Sequence, residues 1–338
     1  MIIHHHIEEL RNLQPVACMG MFDGVHLGHR HLLRRLRDLS IERKKPSLLI
    51  TFWPHPRKVL YANPEGLFYL NTLEEKLSLL AELEIDHVLV LPFTYEFSQQ
   101  TACEFINTFL VRELSIDFLL VGFNHHFGKD RQGSVEDLSR CHASDSFGIE
   151  KQVAVTIQGK ELSSSLIRES LHLGKVEHAA EYLGYSYFLE GQVVAGNQLG
   201  RRLGFPTANI SLSDPHKLVP KTGVYAVEVI HKQQVYRGML NVGYRPTLQQ
   251  EQEQEQEKPK QQANGPSELQ QQEQGSHPLA QRPYRSQSIE VHILDFQQDI
   301  YGDTLRIRFI RRLRDEQKFD SLDALRAQLE KDREAASR

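Results

Sequence analysis

The stretch Pro15-Val16-Ala17-Cys18-Met19, followed by Gly20-Met21-Phe22-Asp23-Gly24-Val25-His26-Leu27-Gly28-His29, passes from an apolar strand through a glycine-rich turn into a helix. Leu32, Leu33, Leu36 and Leu39 recur at helical spacing beyond it, with basic residues between them. Ser47-Leu48-Leu49-Ile50-Thr51-Phe52, His87-Val88-Leu89-Val90-Leu91 and Phe118-Leu119-Leu120-Val121 read as further strands, and helix-like stretches at 73–84 and 101–114 precede the last two. Near-continuous apolar strands separated by helices predict a parallel sheet covered on both faces. In such a sheet ligands bind beyond the carboxyl ends of the strands, and the N–H groups opening the next helix favour phosphate oxygens. Gly20, Gly24 and Gly28 let the backbone come close to a ligand. His26 and His29, three apart, can face one phosphate group and donate hydrogen bonds to charge building on its oxygens, with no covalent step. Two histidines alone would equally serve as a helix cap or as turn packing. No Gly-Lys-Ser/Thr follows, so this is not a Walker A loop, nor is it GxGxxG. A zinc site would need further ligands that no cysteine or carboxylate cluster supplies.

The pattern changes near Tyr185. Gln192-Val193-Val194, Gly223 to Val229, Ile289 to Leu294 and Leu305 to Phe309 are short β-rich segments punctuated by Gly and Pro. They predict a small antiparallel barrel, and Ser321 ahead of Leu322, Leu325 and Leu329 predicts a capped terminal helix. The boundary falls near 183–187, giving domains 1–184 and 185–338. The stretch at about 249–287 is dominated by Gln, Glu, Pro and Ser; it cannot offset ordering entropy and is expected to be disordered, a Glu/Gln-rich helix being the alternative.

Composition sets the outer bounds. Across 338 residues, 40 Lys and Arg stand against 44 Asp and Glu, a net charge of −4. That balance argues against bulk nucleic-acid binding, and the length favours two domains. No apolar run approaches the roughly 18 residues of a membrane helix, and MIIHHHIEEL lacks the features of a signal peptide. Cys18, Cys103 and Cys141 are too few and too scattered for a disulfide framework or a CxxC site. His4-His5-His6 makes a weak metal site. The expectation is a soluble, cytoplasmic, two-domain protein without structural metal.

Further motifs follow in chain order. Thr51-Phe52-Trp53-Pro54-His55-Pro56 ends a strand where its loop would edge the same crevice. Val121-Gly122-Phe123-Asn124-His125-His126-Phe127-Gly128 ends another, and Asn124 could bond a ribose or base. Ser163-Ser164-Ser165-Leu166-Ile167-Arg168 places hydroxyls at a helix start with an Arg in the first turns, which suits triphosphate oxygens but equally suits an N-cap followed by a solvated Arg.

The His-x-Gly-His quartet on a first strand–helix turn resembles the nucleotidylyltransferase superfamily. Taken together, residues from about 10 to 332, apart from the Gln-rich stretch, resemble the bacterial bifunctional riboflavin kinase/FAD synthetase family. GMFDGVHLGH resembles its adenylyltransferase signature, VGFNHHFG its Asn signature and LSSSLIR its serine-rich signature. The resemblance implies a Rossmann-like nucleotidylyltransferase domain and a C-terminal riboflavin-kinase β-barrel with a terminal helix. In the first domain it implies ATP binding by Gly20, Phe22, Asp23, Gly24, Gly28, Asn124, Ser163, Ser164, Ser165 and Arg168, catalysis by His26 and His29, and flavin contacts at His55 and Pro56.

In the second half, Gly196-Asn197-Gln198-Leu199-Gly200-Arg201-Arg202-Leu203-Gly204-Phe205-Pro206-Thr207-Ala208-Asn209-Ile210 resembles the kinase signature centred on PTAN. It implies ATP binding by Gly200, Gly204, Pro206, Thr207 and Asn209, with Thr207 and Asn209 holding Mg²⁺; hydroxyl and amide oxygens are hard ligands for that hard cation. Asn241-Val242-Gly243-Tyr244-Arg245-Pro246-Thr247 resembles a signature near the flavin site, implying contacts from Asn241 and Arg245. Asp299-Ile300-Tyr301-Gly302 and Arg311-Arg312-Leu313-Arg314 also match, with Arg314 either a flavin or phosphate contact or an exposed side chain. Glu290 matches the catalytic carboxylate, which can accept the ribityl 5′-hydroxyl proton as it attacks the γ-phosphate. Alternation with Val291 and Ile293 puts Glu290 on the face opposite the apolar residues. The polar insert then falls in an expanded hairpin loop, which closure entropy tolerates because that cost grows slowly with length. The implied activity takes riboflavin to FMN and FMN to FAD, with ATP as co-substrate in both steps. The resemblance also implies small-molecule substrates and a monomeric or weakly self-associating state. The rivals are a nucleotidylyltransferase with another acceptor and a non-catalytic flavin-binding scaffold.

Overall fold

The computed structural model describes residues 1–60, 68–123, 147–157, 159–196, 199–244 and 287–338. The apolar runs of the first half form a parallel sheet. Strands β1 (Ile2–His4), β2 (Val16–Met19), β3 (Ser47–Trp53), β4 (His87–Pro92), β5 (Phe118–Val121) and β6 (Gly148–Lys151) lie in the order β1-β4-β3-β2-β5-β6, every pairing parallel. Cys18 of the central β2 stands opposite Leu49 and Leu120. Successive side chains leave opposite faces: Ala17, Met19, Leu48, Ile50 and Leu119 enter one apolar cluster, while Val16, Cys18, Leu49 and Leu120 enter another.

Helices cover both faces. Leu33 and Leu36 of α1 (Leu27–Arg43) close the second cluster, together with Leu79 and Leu80 of α3 (Leu73–Ala81). Short helices α2 (Pro56–Leu60) and α4 (Tyr95–Ser98) follow β3 and β4. The stretch expected as one helix at 101–114 is instead a single α turn, α5 (Ala102–Glu104), that widens into a π-helix, Phe105–Glu113. Phe105 and Phe109 stack within it at 5.1 Å and seal the first cluster. A two-stranded hairpin, β7 (Thr156–Ile157) and β8 (Lys160–Glu161), precedes α6 (Ser164–His172) and α7 (Val176–Leu183), which ends on Gly184 in the left-handed region.

The second half is a closed barrel. Strands β9 (Phe188–Val194), β10 (Ala208–Leu212), β11 (Gly223–His231), β12 (Gln234–Tyr244), β13 (Gln287–Ile293) and β14 (Thr304–Arg314) close in the order β10-β13-β12-β11-β14-β9. A short helix, α8 (Leu199–Arg202), lies between β9 and β10. The terminal helix α9 (Leu322–Ser337) is capped as predicted, Ser321 Oγ accepting from the Ala324 N–H at 3.1 Å. Ala208 and Asn209 of the PTAN motif open strand β10. One detail departs from expectation: Gln287, placed with the polar insert, is the first residue of β13, paired with Tyr244. Residues 249–286 of that insert lie outside the described residues. By internal contacts the chain divides into one unit of Met1–Glu190, Leu212–Lys221 and Arg306–Arg312, and a second of Gly191–Ser211, Thr222–Leu305 and Leu313–Arg338.

Candidate functional site

In the first unit the turn from β2 into α1 is strained. Phe22 and Val25 have φ of 49° and 36°, left-handed values that cost a β-branched residue most, and Gly24 has φ of 88°. Asp23 holds the turn in place. Its Oδ1 accepts from the Leu70 N–H at 3.0 Å and the Asn71 N–H at 3.2 Å, and its carboxylate pairs with Arg168. Arg168 Nε donates to the Phe68 carbonyl at 3.0 Å, and Ser164 Oγ donates to the Asp23 carbonyl at 2.8 Å. The Asp-Gly and Ser-rich motifs are thus tied directly to each other.

His26 is the N-cap of α1, and its Nδ1 accepts the His29 N–H at 3.3 Å. That bond leaves the neutral ring's proton on Nε2. The two imidazoles stack at 3.6 Å, and His29 Nδ1 is buried with no hydrogen-bond partner among the described residues. Burial, against a smaller pull from Asp23, lowers His26 to about 4. Burial first, then His26 and Lys76, hold His29 well below its ordinary value. Both rings are therefore neutral hydrogen-bonding groups near pH 7. A cleft beside them is lined by His26, Gly28, His29, Gly122, Ser163 and Ser164, so residues of the first and third motifs meet there. Gln152 and Val155 line it too, without any sequence motif to mark them. Ser163 N-caps α6, whereas Ser165 is exposed on that helix.

His55 lies at the end of β3 with its ring 6.0 Å from Tyr69, Pro56 opens α2, and burial lowers His55 to about 4. Asn124 lies outside the described residues. Sequence reasoning missed Lys76. It is fully buried, with Nζ donating to the Met21 carbonyl at 3.0 Å and to Thr51 Oγ1 at 3.4 Å, and burial lowers it to about 8. The available signal was its place on the apolar stripe of α3, three residues after Leu73 and four before Leu80.

In the second unit the strand register assembles the site. Asn209 of β10 stands opposite Glu290 of β13, and Glu290 stands opposite Asn241 of β12. Directly opposed residues on antiparallel strands share a face, so three polar side chains from distant parts of the sequence form one row. Glu290 is half-buried while Ile289, Val291 and Ile293 are buried, consistent with its predicted face. Asn209 is buried, and a Cβ on Gly196 would fall 1.9 Å from its Nδ2, so a larger residue there would displace the amide. Thr207 Oγ1 would lie 3.3 Å from a Cβ on Gly200, and Gly204 has φ of 87°. Pro206 is bonded through its carbonyl to His292. Arg314 is committed elsewhere: Nε and Nη2 bond the Asp332 carboxylate of α9 at 2.7 to 3.0 Å. Arg245 lies outside the described residues.

Known proteins match both halves. A family model described as FAD synthetase covers residues 9–166, and one described as riboflavin kinase covers 183–259 and 261–338. The bifunctional riboflavin kinase/FMN adenylyltransferase of Listeria monocytogenes is 32% identical over 332 residues, 98% of this chain and 94% of the relative. Its counterpart in Haemophilus influenzae is 35% identical over 329 residues, 96% of this chain and 94% of the relative. A crystal structure from Streptococcus pneumoniae, described as a macrolide-efflux protein, matches at TM-score 0.81 and 28% identity, covering 99% of this chain and 98% of its own. Among the described residues of this chain, no helix is long and apolar enough to cross a membrane.

Proposed function

The chain belongs to the bifunctional riboflavin kinase/FMN adenylyltransferase family, and from that premise we infer that its two halves act in succession on one flavin. The barrel half phosphorylates riboflavin with ATP, giving FMN and ADP. The α/β half transfers AMP from a second ATP to FMN, giving FAD and pyrophosphate. The observation that carries this reading is that each half has its own polar site: the histidine-lined cleft in one, and the row Asn209, Glu290, Asn241 in the other.

In the first step Glu290 accepts the proton of the ribityl 5′-hydroxyl as that oxygen attacks the γ-phosphorus. Thr207 and Asn209 offer hydroxyl and amide oxygens that fit Mg²⁺, and the close approach of Gly196 keeps the Asn209 amide in place. Bound there, the ion would neutralise charge on the ATP phosphates. In the second step a phosphate oxygen of FMN attacks the α-phosphorus of ATP. His26 and His29 donate to the oxygens where charge builds, and Ser163 and Ser164 flank the same cleft. Asp23 and Arg168 act by holding the turn. The assignment of residues 1–184 to adenylylation and 185–338 to phosphorylation, flavin contacts from His55, Pro56, Asn241 and Arg245, and a cytoplasmic, monomeric or weakly associating state belong to this proposal.

A time course with riboflavin and ATP tests it. FMN should rise first and FAD follow. A chain that neither phosphorylates riboflavin nor adenylylates supplied FMN, yet releases pyrophosphate from ATP in the presence of another phosphorylated acceptor, would favour the nucleotidylyltransferase with another acceptor. Flavin binding without ATP turnover would favour the scaffold.

A further inference from the structure

We propose that His292 is a positioning residue for the phosphorylation step, clamping the loop that carries Thr207 onto the strand that carries Glu290. The inference rests on the two-step reading and adds a residue to it. Two positions apart on β13, Glu290 and His292 project to the same face. His292 Nδ1 lies 2.7 Å from the Pro206 carbonyl, and because a carbonyl only accepts, Nδ1 carries the proton of that bond. The ring edge meets the Phe205 ring at 5.5 Å, and Phe205 is buried in a small apolar cluster with Ala226, Met239 and Ala336.

The clamp matters because β10 is weakly attached to β13. The two strands share two register pairs, Ala208 with Val291 and Asn209 with Glu290. Upstream of Ala208 the chain is a loop. On its near side the Phe205 and Leu203 N–H groups fold back on the Gly200 carbonyl at 2.8 and 3.1 Å. Pro206 has no N–H with which to extend the ladder. The His292 side chain supplies the missing rung through the Pro206 carbonyl. Thr207 is thereby fixed to β13 on both sides, by Pro206 through His292 and by Ala208 through the backbone pair. The spacing between Thr207, Asn209 and Glu290 depends on that attachment, and ATP·Mg²⁺ is the ligand that would sense its loss.

Two variants of the full chain separate donation from packing. His292→Phe keeps a ring against Phe205 and removes the donor; His292→Asn puts an N–H where Nδ1 was and removes the ring. Losing one hydrogen bond should raise the KM for ATP in FMN formation by about ten-fold in His292→Phe, with the KM for riboflavin little changed. His292→Asn should remain close to the wild type. The kcat of FMN formation and the thermal unfolding midpoint, which a loosened loop alone leaves near the wild type, report that each variant is intact. The reverse order, or equal KM values in all three proteins, would overturn the role of His292. Wild-type protein that forms no FMN would instead overturn the two-step reading itself.

Discussion

The imidazole rings of His26 and His29 lie face to face, with centroids 3.6 Å apart and planes 14° from parallel. Two charged rings at that separation would repel strongly in a buried setting, so the stack requires neutral histidines. Burial lowers His26 to about 4, so its imidazole resonances should show no titration near pH 6.5, the ordinary value. Stability follows the same sign. The unfolded chain takes up a proton near 6.5 and the folded chain only near 4, so the contribution is complete above 6.5 and is lost as pH falls from there toward 4. Urea midpoints at pH 7.5 and 5 measure the loss. An imidazole that titrates near 6.5 in proton NMR would mean that a charged histidine is present in the cleft.

Replacing both histidines with alanine removes two donors from the cleft. Each donor of this kind is worth on the order of a hundred-fold in rate, so FAD formation should fall at least that far. FMN formation should not change. Following both products in one reaction checks this, and an unchanged FAD yield would exclude the pair from catalysis.

Glu290→Gln keeps the shape of the row with Asn209 and Asn241 but cannot accept a proton. FMN formation should drop by roughly a hundred-fold or more, while supplied FMN is still converted to FAD. Loss of both activities would point to misfolding, which circular dichroism would show.

Arg168→Leu leaves the buried Asp23 carboxylate without its cation. Breaking such a pair costs about 3–5 kcal/mol, and the strained backbone at Phe22 and Val25 loses its anchor. A denaturant titration should show the destabilisation, and Asp23→Asn in the same background should relieve part of it. No relief would mean that the pair is not coupled.

The bidentate bond from Arg314 to Asp332 predicts that Arg314→Ala weakens the docking of α9 before it weakens flavin binding. Arg314→Lys should restore only part of the stability, because an ammonium cannot reproduce the planar fork. Thermal unfolding, read beside the KM for riboflavin, separates the two effects. A raised KM with unchanged unfolding would return Arg314 to the flavin site.

Much of the frame could be read along the chain. Phe118–Val121 was bounded correctly because a strand buried on both faces is apolar at every position. The glycine-rich turn was legible as the passage from a strand into a helix, although the structure places a short strand, β1, ahead of the one that enters it. What escaped depends on partners distant in sequence. Lys217 and Glu75 form an ion pair 2.5 Å long, each side chain 1% exposed, where composition alone would put both in solvent. The engagement of Arg168 by Asp23 is likewise invisible locally, since 145 residues separate them. The π-helix at Phe105–Glu113 has the same apolar stripe as an α-helix, so periodicity could not distinguish it. Nothing local marks Ala208 and Asn209 as strand, because Gly and Pro precede them, and the pairing of Asn209 with Glu290 is what makes that segment one.

The ladder between β12 and β13 runs through seven register pairs, from Gly238 opposite Ile293 to Tyr244 opposite Gln287. Peptide connectivity is therefore a weaker constraint on Asn241 and Glu290 than cross-strand pairing. A chain nicked by a protease between 249 and 286, or carrying a foreign segment spliced there, is expected to keep those two residues facing each other and to go on making FMN.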